Sequence, residues 1–225
     1  MRGHLSEPVM PSRERLRVAL LACGVISSVL YVVSIDVIVA LRYPAYHAYT
    51  SQMVSELMAV GAPSRSLLVW LFMPYNLLVF AFAAGVWMSA AGKRARRSAA
   101  IALVAYALTS TAGLLLAPMD LRGTVASQRD GLHIAVTIVM SFCIIAVMVL
   151  GAFMHGTRFR FYSFVTIGAV VLFGALAGML AGPMPEPTPW LGLAERMNIY
   201  MTMLWFAVAA VSLRNIERPV PRPTH

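Results

Sequence analysis

Charged residues are scarce in this sequence: they make up 12% of the 225 residues, and only nine of them are acidic. A soluble domain carries about 25% charged residues and about 45–50% apolar ones, whereas this chain is 60% hydrophobic with a mean hydropathy of +0.76. Two cysteines are too few for a disulfide scaffold, and 13 prolines are too few for a collagen. The high apolar content also excludes a disordered chain. The composition therefore predicts a polytopic membrane protein.

Apolar runs long enough to cross a bilayer occur six times. A spanning helix needs about 20 mostly apolar residues, and short polar or Pro/Gly-rich stretches separate the runs. The first run is too long for a signal peptide and lacks a cleavage site, so we expect it to be retained. The sequence predicts an all-α, polytopic six-helix bundle over 17–213, between an N-terminal segment 1–16 and a Pro/Arg-rich tail 214–225. The predicted spans are 17–41, 66–90, 98–118, 133–154, 162–182 and 195–213.

The basic residues predict the orientation of the bundle in the membrane. Both termini and the loops after the second and fourth spans fall on one side, which carries thirteen basic and three acidic residues, a net +10. The other side carries five basic and six acidic residues, a net −1. Cytoplasmic loops are enriched in Lys and Arg, so we expect both termini in the cytoplasm and the bundle in a bacterial inner membrane. The overall charge of +9 therefore reflects topology, and no motif indicates nucleic-acid binding.

A weak internal sequence repeat at an offset of 65 residues relates the third and fourth spans to the fifth and sixth. In each two-helix unit the first helix follows a basic loop and precedes an outer loop, which favours duplicated hairpins in parallel orientation. Chance matching among small and apolar residues is the alternative. The matched pairs are Ser98 with Ser163, Ala112 with Ala177, Gly113 with Gly178, Leu115 with Leu180, Pro118 with Pro183, and Met119 with Met184.

Ionisable residues gather on the predicted outer side. Such groups are costly within or beside hydrocarbon, so several of them on one face indicate a functional site. Each also has a structural explanation, as an ion pair, a solvated interfacial residue or a helix-end interaction. The residues are Asp36, Glu56, Asp120, Asp130, His133 and Glu195.

Asp120 and His133 flank a single loop, so they can approach each other without any long-range contact. A carboxylate that orients an imidazole, with Glu56 or Glu195 as a second acid or base, suits proton transfer on a substrate. We therefore name these four residues as candidate catalytic residues.

Polar residues beside this cluster are candidates for substrate binding. Arg196 is suited to clamp an anion or carboxylate, or to pair with an acid on another helix. Asp36 is expected to face the bundle or a wet cavity, and Asn76 follows Pro74 at a kink in the second span. Ser55 completes the group, although a role as nucleophile lacks an elbow motif. The spacing of His and Cys residues indicates no metal site, and no cofactor is expected.

Aromatic residues in or near the spans suggest a further chemistry. Aromatic faces stabilise cations, so an acid beside them suits the cyclisation of an isoprenoid chain. The alternative is the usual interfacial belt of Trp and Tyr. The residues are Trp70, Tyr75, Trp87, Tyr106, Trp190 and Trp205.

Short motifs in the predicted outer segments carry a family resemblance. They are Tyr43-Pro44-Ala45-Tyr46, Ser55-Glu56-Leu57, Gly61-Ala62-Pro63, Pro118-Met119-Asp120, Gly131-Leu132-His133 and Gly192-Leu193-Ala194-Glu195-Arg196. With them, residues 18–213 resemble the bacterial six-helix membrane proteins grouped as domain of unknown function 998. The chain departs from the family pattern at Met58-Ala59-Val60, where a glycine is expected sooner. The resemblance implies no agreed activity, but it implies a six-helix bundle with an outer polar cluster of Ser55, Glu56, Asp120, His133, Glu195 and Arg196.

Three functions remain open from the sequence. The first is a polar pocket that opens toward the outer leaflet and binds a membrane lipid or an amphipathic, isoprenoid-like molecule. If the protein is an enzyme, this pocket modifies that molecule by acid/base chemistry, as a hydrolase or an isoprenoid cyclase does. The alternatives are a non-catalytic accessory or lipid-organising protein and a small proton-coupled transporter. Nucleic acid is not expected as a partner, and a protein partner or a homo-oligomer is left open.

Overall fold

A computed structural model describes residues 11–42, 49–121, 124–125, 127–181 and 189–215. The motif at 43–46 lies outside these residues, and so do Pro183 and Met184, the matches of Pro118 and Met119 in the internal repeat. Six helices in the described part are long and apolar enough to cross a membrane, which confirms the predicted all-α integral membrane architecture. The helices are α1 Ser12–Val33, α2 Val39–Arg42, α3 Arg65–Met88, α4 Arg94–Leu116, α5 Gln128–Gly151, α6 Thr157–Leu180 and α7 Leu191–Asn215.

The helices extend beyond the apolar runs from which they were predicted. A π-helical turn, Ser34–Ile38, joins α1 to α2, so the two form one continuous rod. At the other ends, α5 begins at Gln128 and α6 at Thr157, each five residues before its predicted window. Backbone groups must stay hydrogen-bonded through the membrane boundary. The helices therefore continue into polar sequence that hydropathy alone does not count.

The six long helices form a ring. α1 packs between α3 and α7, α4 packs between α3 and α5, and α6 packs against α7. The remaining seam, between α5 and α6, is the weakest of the six. The α4–α5 and α6–α7 pairs are thus hairpins, but the equivalent glycines differ: a Cβ on Gly113 would touch Val136, whereas one on Gly178 would meet nothing within 4 Å. Their duplication stays a prediction.

An aromatic core joins α3, α4, α6 and α7. The ring of Phe206 lies against Phe82 and Tyr106, with ring centroids 6.0 and 5.6 Å apart. The neighbouring Trp205 donates from Nε1 to the hydroxyl of Ser163 at 3.0 Å. This contact satisfies the one polar group of a fully buried indole and fixes α6 to α7.

The two ends of the bundle differ in chemistry. At the basic end, where α1, α4 and α6 begin, Arg17 and Arg96 are buried. Arg17 pairs with Glu14 and donates to the carbonyl of Leu213 at 3.3 Å, while Arg96 donates to the carbonyl of Ser89. Cations complement the negative ends of helix dipoles, so these two arginines fasten the ends of α3 and α7. The opposite, acidic end holds the candidate residues other than Asn76; its assignment to the outer face stays a prediction.

Candidate functional site

The first turn of α7 places Arg196 inside the acidic end. The side chain is fully buried, and Nη1 donates to the carbonyls of Tyr49, Gln52 and Gly192 at 2.9, 2.7 and 3.0 Å. The guanidinium also lies 4.3 Å from the centroid of the Tyr49 ring. Arg196 therefore holds the loop that follows α2, at the position where sequence analysis predicts an anion clamp.

Glu195, the preceding residue, holds the same loop as a hydrogen-bond acceptor, whereas Arg196 holds it as a donor. Its carboxylate accepts hydrogen bonds from the backbone N–H of Val54 and, at 3.3 Å, of Ser55. Two adjacent side chains of opposite charge thus bind backbone acceptors and backbone donors of one segment, 49–55. We call Glu195 and Arg196 the α7 clamp. The catalytic role of Glu195 and the substrate-binding roles of Arg196 and Ser55 stay predictions.

The segment held by the clamp is folded into the bundle. At its end, residues Ser55–Met58 form a single 3₁₀ turn. Leu57 is fully buried, and its carbonyl accepts a hydrogen bond from the Ser64 hydroxyl at 2.6 Å. Glu56, a candidate catalytic residue, is buried on the same turn. The turn therefore packs as part of the protein interior.

A chain of hydrogen bonds links Asp36 to the surface. The Tyr200 hydroxyl donates to Oδ2 of Asp36, and the Tyr49 hydroxyl lies 2.8 Å from that of Tyr200. Oδ1 of Asp36 is 3.8 Å from Nε of Arg196, so the arginine pairs with an acid on another helix, as one sequence interpretation had it. We call Tyr49, Tyr200 and Asp36 the hydroxyl chain. Sequence analysis missed both tyrosines, because at a membrane boundary they look like an ordinary aromatic belt.

Asp120 is tied to the first turn of α5. Its carboxylate accepts a hydrogen bond from the Ser127 hydroxyl and lies 3.5 Å from Nη1 of Arg129. Its backbone N–H donates to Asp130 at 2.9 Å, and Ser127 and Asp130 together form the capping box of α5. Such a box satisfies N–H groups that the first helical turn leaves unpaired. In this arrangement Asp120 stabilises the N-terminus of α5.

His133 lies one turn further along α5 and is oriented by a different group. Its Nδ1 is 2.9 Å from the carbonyl oxygen of Ala117. A carbonyl only accepts, so Nδ1 carries the proton and, in the neutral ring, Nε2 is the acceptor. No hydrogen bond joins Asp120 to His133 in the described part of the chain, and no three His, Cys, Asp or Glu residues there group as metal ligands.

Asn76 lies apart from the acidic end. It is 3% exposed in the middle of α3, and neither of its amide atoms has a hydrogen-bond partner among the described residues. Its neighbour Tyr75 bonds instead to the hydroxyl of Tyr106 at 2.7 Å. The structure therefore does not place Asn76 beside Asp36 or the clamp, and its substrate-binding role stays a prediction.

The buried residues of α5 and α6 are confined to the part of each helix that is nearer the basic end. On α5, Met148 and Ile144 are buried, but Ser141 and Thr137, which continue the same helical stripe toward the acidic end, are exposed. On α6, no residue beyond Val170 is buried. Helices packed along their whole length bury one stripe throughout. The weak contact between the two helices and this loss of burial indicate an opening between them toward the acidic end, which we call the α5–α6 gap.

The comparisons with known proteins identify a family. No curated protein and no solved structure matches the chain. Residues 25–212 match the family described as "Protein of unknown function (DUF998)", which confirms the resemblance carried by the outer motifs. The match covers most of the six-helix region. The chain therefore belongs to the DUF998 family of membrane proteins.

Proposed function

We propose that this protein binds an amphipathic lipid or isoprenoid-like molecule in the α5–α6 gap, with the polar end of the molecule toward the acidic end. The observation that carries the proposal is the exposure of Thr137 and Ser141 on a stripe that is buried further along at Ile144 and Met148. In a bilayer such a gap would face the hydrocarbon of the lipids, because it lies between two helices long and apolar enough to span the membrane.

The chemistry of the gap suits this ligand. The Ser141 hydroxyl donates to the Thr137 carbonyl at 2.8 Å, so it presents no unpaired donor to a hydrocarbon chain. His133 lies one turn from Thr137 on the same stripe and is half-buried at the acidic end. A trough whose exposed polar groups are two small hydroxyls, with an imidazole at its mouth, suits a molecule with a long chain and a small polar end.

Filling the gap with a large side chain tests the proposal. In Thr137→Trp the indole occupies the space of the ligand, and we expect co-purified lipid-like molecules to fall about tenfold, a loss of about 1.4 kcal/mol in binding. The measurement is mass spectrometry of molecules extracted from protein purified in mild detergent. Ile138→Trp is the matched control, since Ile138 is 51% exposed at the same depth on a different face of α5.

The outcomes separate the functions. Equal ligand content in both tryptophan variants contradicts the gap as the binding site. A wild-type protein without any enriched small molecule favours the accessory or lipid-organising function instead. Electrogenic substrate movement in proteoliposomes that Thr137→Trp leaves unchanged favours a proton-coupled transporter.

Acid/base catalysis is the second candidate, and the orientation of His133 favours it. With Nδ1 donating to Ala117, the remaining nitrogen is fixed as an acceptor, as a general base requires. Asp120 helps to position His133 indirectly, because it holds the first turn of α5, the helix that carries His133. Glu56 and Glu195 would supply further protons. Hydrolysis and isoprenoid cyclisation both use such groups.

The variant His133→Asn distinguishes catalysis from a structural role. An asparagine amide nitrogen can replace Nδ1 in the bond to Ala117, but it supplies no base at the position of Nε2. We expect the protein to fold normally and to lose about 10²–10⁴-fold of any turnover of extracted membrane lipids. Turnover equal to wild type excludes His133 as the base.

A further inference from the structure

The hydroxyl chain has a fixed hydrogen-bond direction. Asp36, paired with Arg196, is a carboxylate and only accepts, so the Tyr200 hydroxyl gives its proton to Asp36. The Tyr49 hydroxyl then gives its proton to the Tyr200 oxygen. Both protons point inward, and successive bonds polarise one another in that direction. Tyr49 is 39% exposed and therefore presents lone pairs, and no hydrogen, to the membrane boundary.

An apolar groove runs along the helices that carry this chain. It lies between α1 and α7 and is open to lipid. Asp36, in the π-helical turn that continues α1, follows Val25 by eleven residues, and Tyr200 precedes Val211 by eleven on α7. Eleven residues are about three helical turns, so the members of each pair share a face about 16 Å apart. The groove and the hydroxyl chain therefore occupy one seam. The groove is lined by Val25, Ala207, Val208, Val211 and Ser212.

We infer that the α1–α7 seam binds a single-chain amphiphile whose head group donates hydrogen bonds, such as an alcohol or a primary amine. The tail lies in the groove and the head donates to the lone pairs of Tyr49. A fully ionised phosphate head is disfavoured, because its oxygens only accept hydrogen bonds and the Tyr49 hydroxyl oxygen is itself an acceptor there. Asn198 bonds to α6 while Tyr200 bonds to α1, so this seam and the α5–α6 gap lie on different sides of α7.

Photolabelling with three matched probes tests the inference. The protein is placed in phosphatidylcholine nanodiscs with hexadecanol, hexadecylamine or hexadecyl phosphate, each carrying a diazirine in the tail. We expect the alcohol and the amine to label peptides of α1 and α7 that line the groove, at least about fivefold more than the phosphate, as one hydrogen bond allows. Equal labelling by the phosphate overturns the inference. Labelling by the amine alone also overturns it, because that result reports charge attraction.

Tyr200→Phe removes the bond that fixes the direction of the chain. The Tyr49 hydroxyl is then free to donate outward, so the preference for donor heads is expected to disappear while labelling by the phosphate rises. Tyr162→Phe, which removes a tyrosine hydroxyl from α6, is the control and should keep the wild-type preference. Undiminished preference in Tyr200→Phe contradicts the inference.

If Tyr200→Phe fails to fold, Tyr49→Phe replaces it, with reduced labelling by both donor heads expected. Thr137→Trp should leave this labelling unchanged, which separates the seam from the gap.

Discussion

Arg196→Leu is expected to keep the protein from accumulating as a folded bundle. The substitution leaves the carbonyls of Tyr49 and Gln52 without the donor that Arg196 supplies, and it leaves the Asp36 carboxylate without its cation, with the Tyr200 hydroxyl as its remaining donor. Removing one partner of a buried ion pair costs about 3–5 kcal/mol. Folded proteins are stable by only about 5–15 kcal/mol. Fluorescence-detected gel filtration and thermal melting in detergent measure the loss directly.

A second arginine at the acidic end is the matched control. Arg129 also pairs with an aspartate, Asp120, but 58% of its side chain is exposed. Exposed pairs contribute about 0–1 kcal/mol, so Arg129→Leu is expected to melt close to wild type. Asp36→Leu combined with Arg196→Leu should recover part of the stability, because the Asp36 carboxylate is then no longer left without its cation. An Arg196→Leu protein that melts like wild type contradicts the structural role of the clamp.

The architecture was predictable because a bilayer restricts what a chain can do. Hydropathy located all six spans, since a membrane admits only long, internally hydrogen-bonded apolar helices. The same topology gathered Asp36, Asp120 and Glu195 at one end, and the structure brings them to one end. The interpretation of Arg196 as a partner for an acid on another helix was also confirmed.

The details of the site were beyond sequence reasoning for two physical reasons. First, its contacts are with backbone atoms: His133 binds the carbonyl of Ala117 and Glu195 binds two N–H groups, and loop geometry decides which of these groups are in reach. Second, hydropathy does not distinguish lipid from protein as an apolar neighbour. Ile138 is exposed and Ile144 is buried on the same helix, so the composition of α5 does not show which of its faces is packed against protein.

Gly192→Ala is expected to destabilise the protein almost as strongly as the loss of Arg196. A Cβ at this position would lie 2.2 Å from the carbonyl oxygen of Gln52 and 2.7 Å from its carbonyl carbon. Overpacking against side chains costs about 1–3 kcal/mol. Here the obstacle is backbone, and Arg196 holds that same oxygen, so we expect about 3 kcal/mol or more. Gly178→Ala is the control, since nothing lies within 4 Å of the added methyl; there, alanine should stabilise α6 by up to about 1 kcal/mol.

The two largest effects share one cause and should not add. Both substitutions act on the segment that Arg196 holds against the start of α7, so releasing that segment removes the clash at Gly192. In an Arg196→Leu background, Gly192→Ala should therefore lower the melting temperature much less than it does in wild type, as expected for residues with a common partner. Independent, additive losses contradict a single clamp. Since Tyr49 belongs to the clamped segment, each substitution should also abolish the preference of the α1–α7 seam for donor head groups, whereas Gly178→Ala should preserve it.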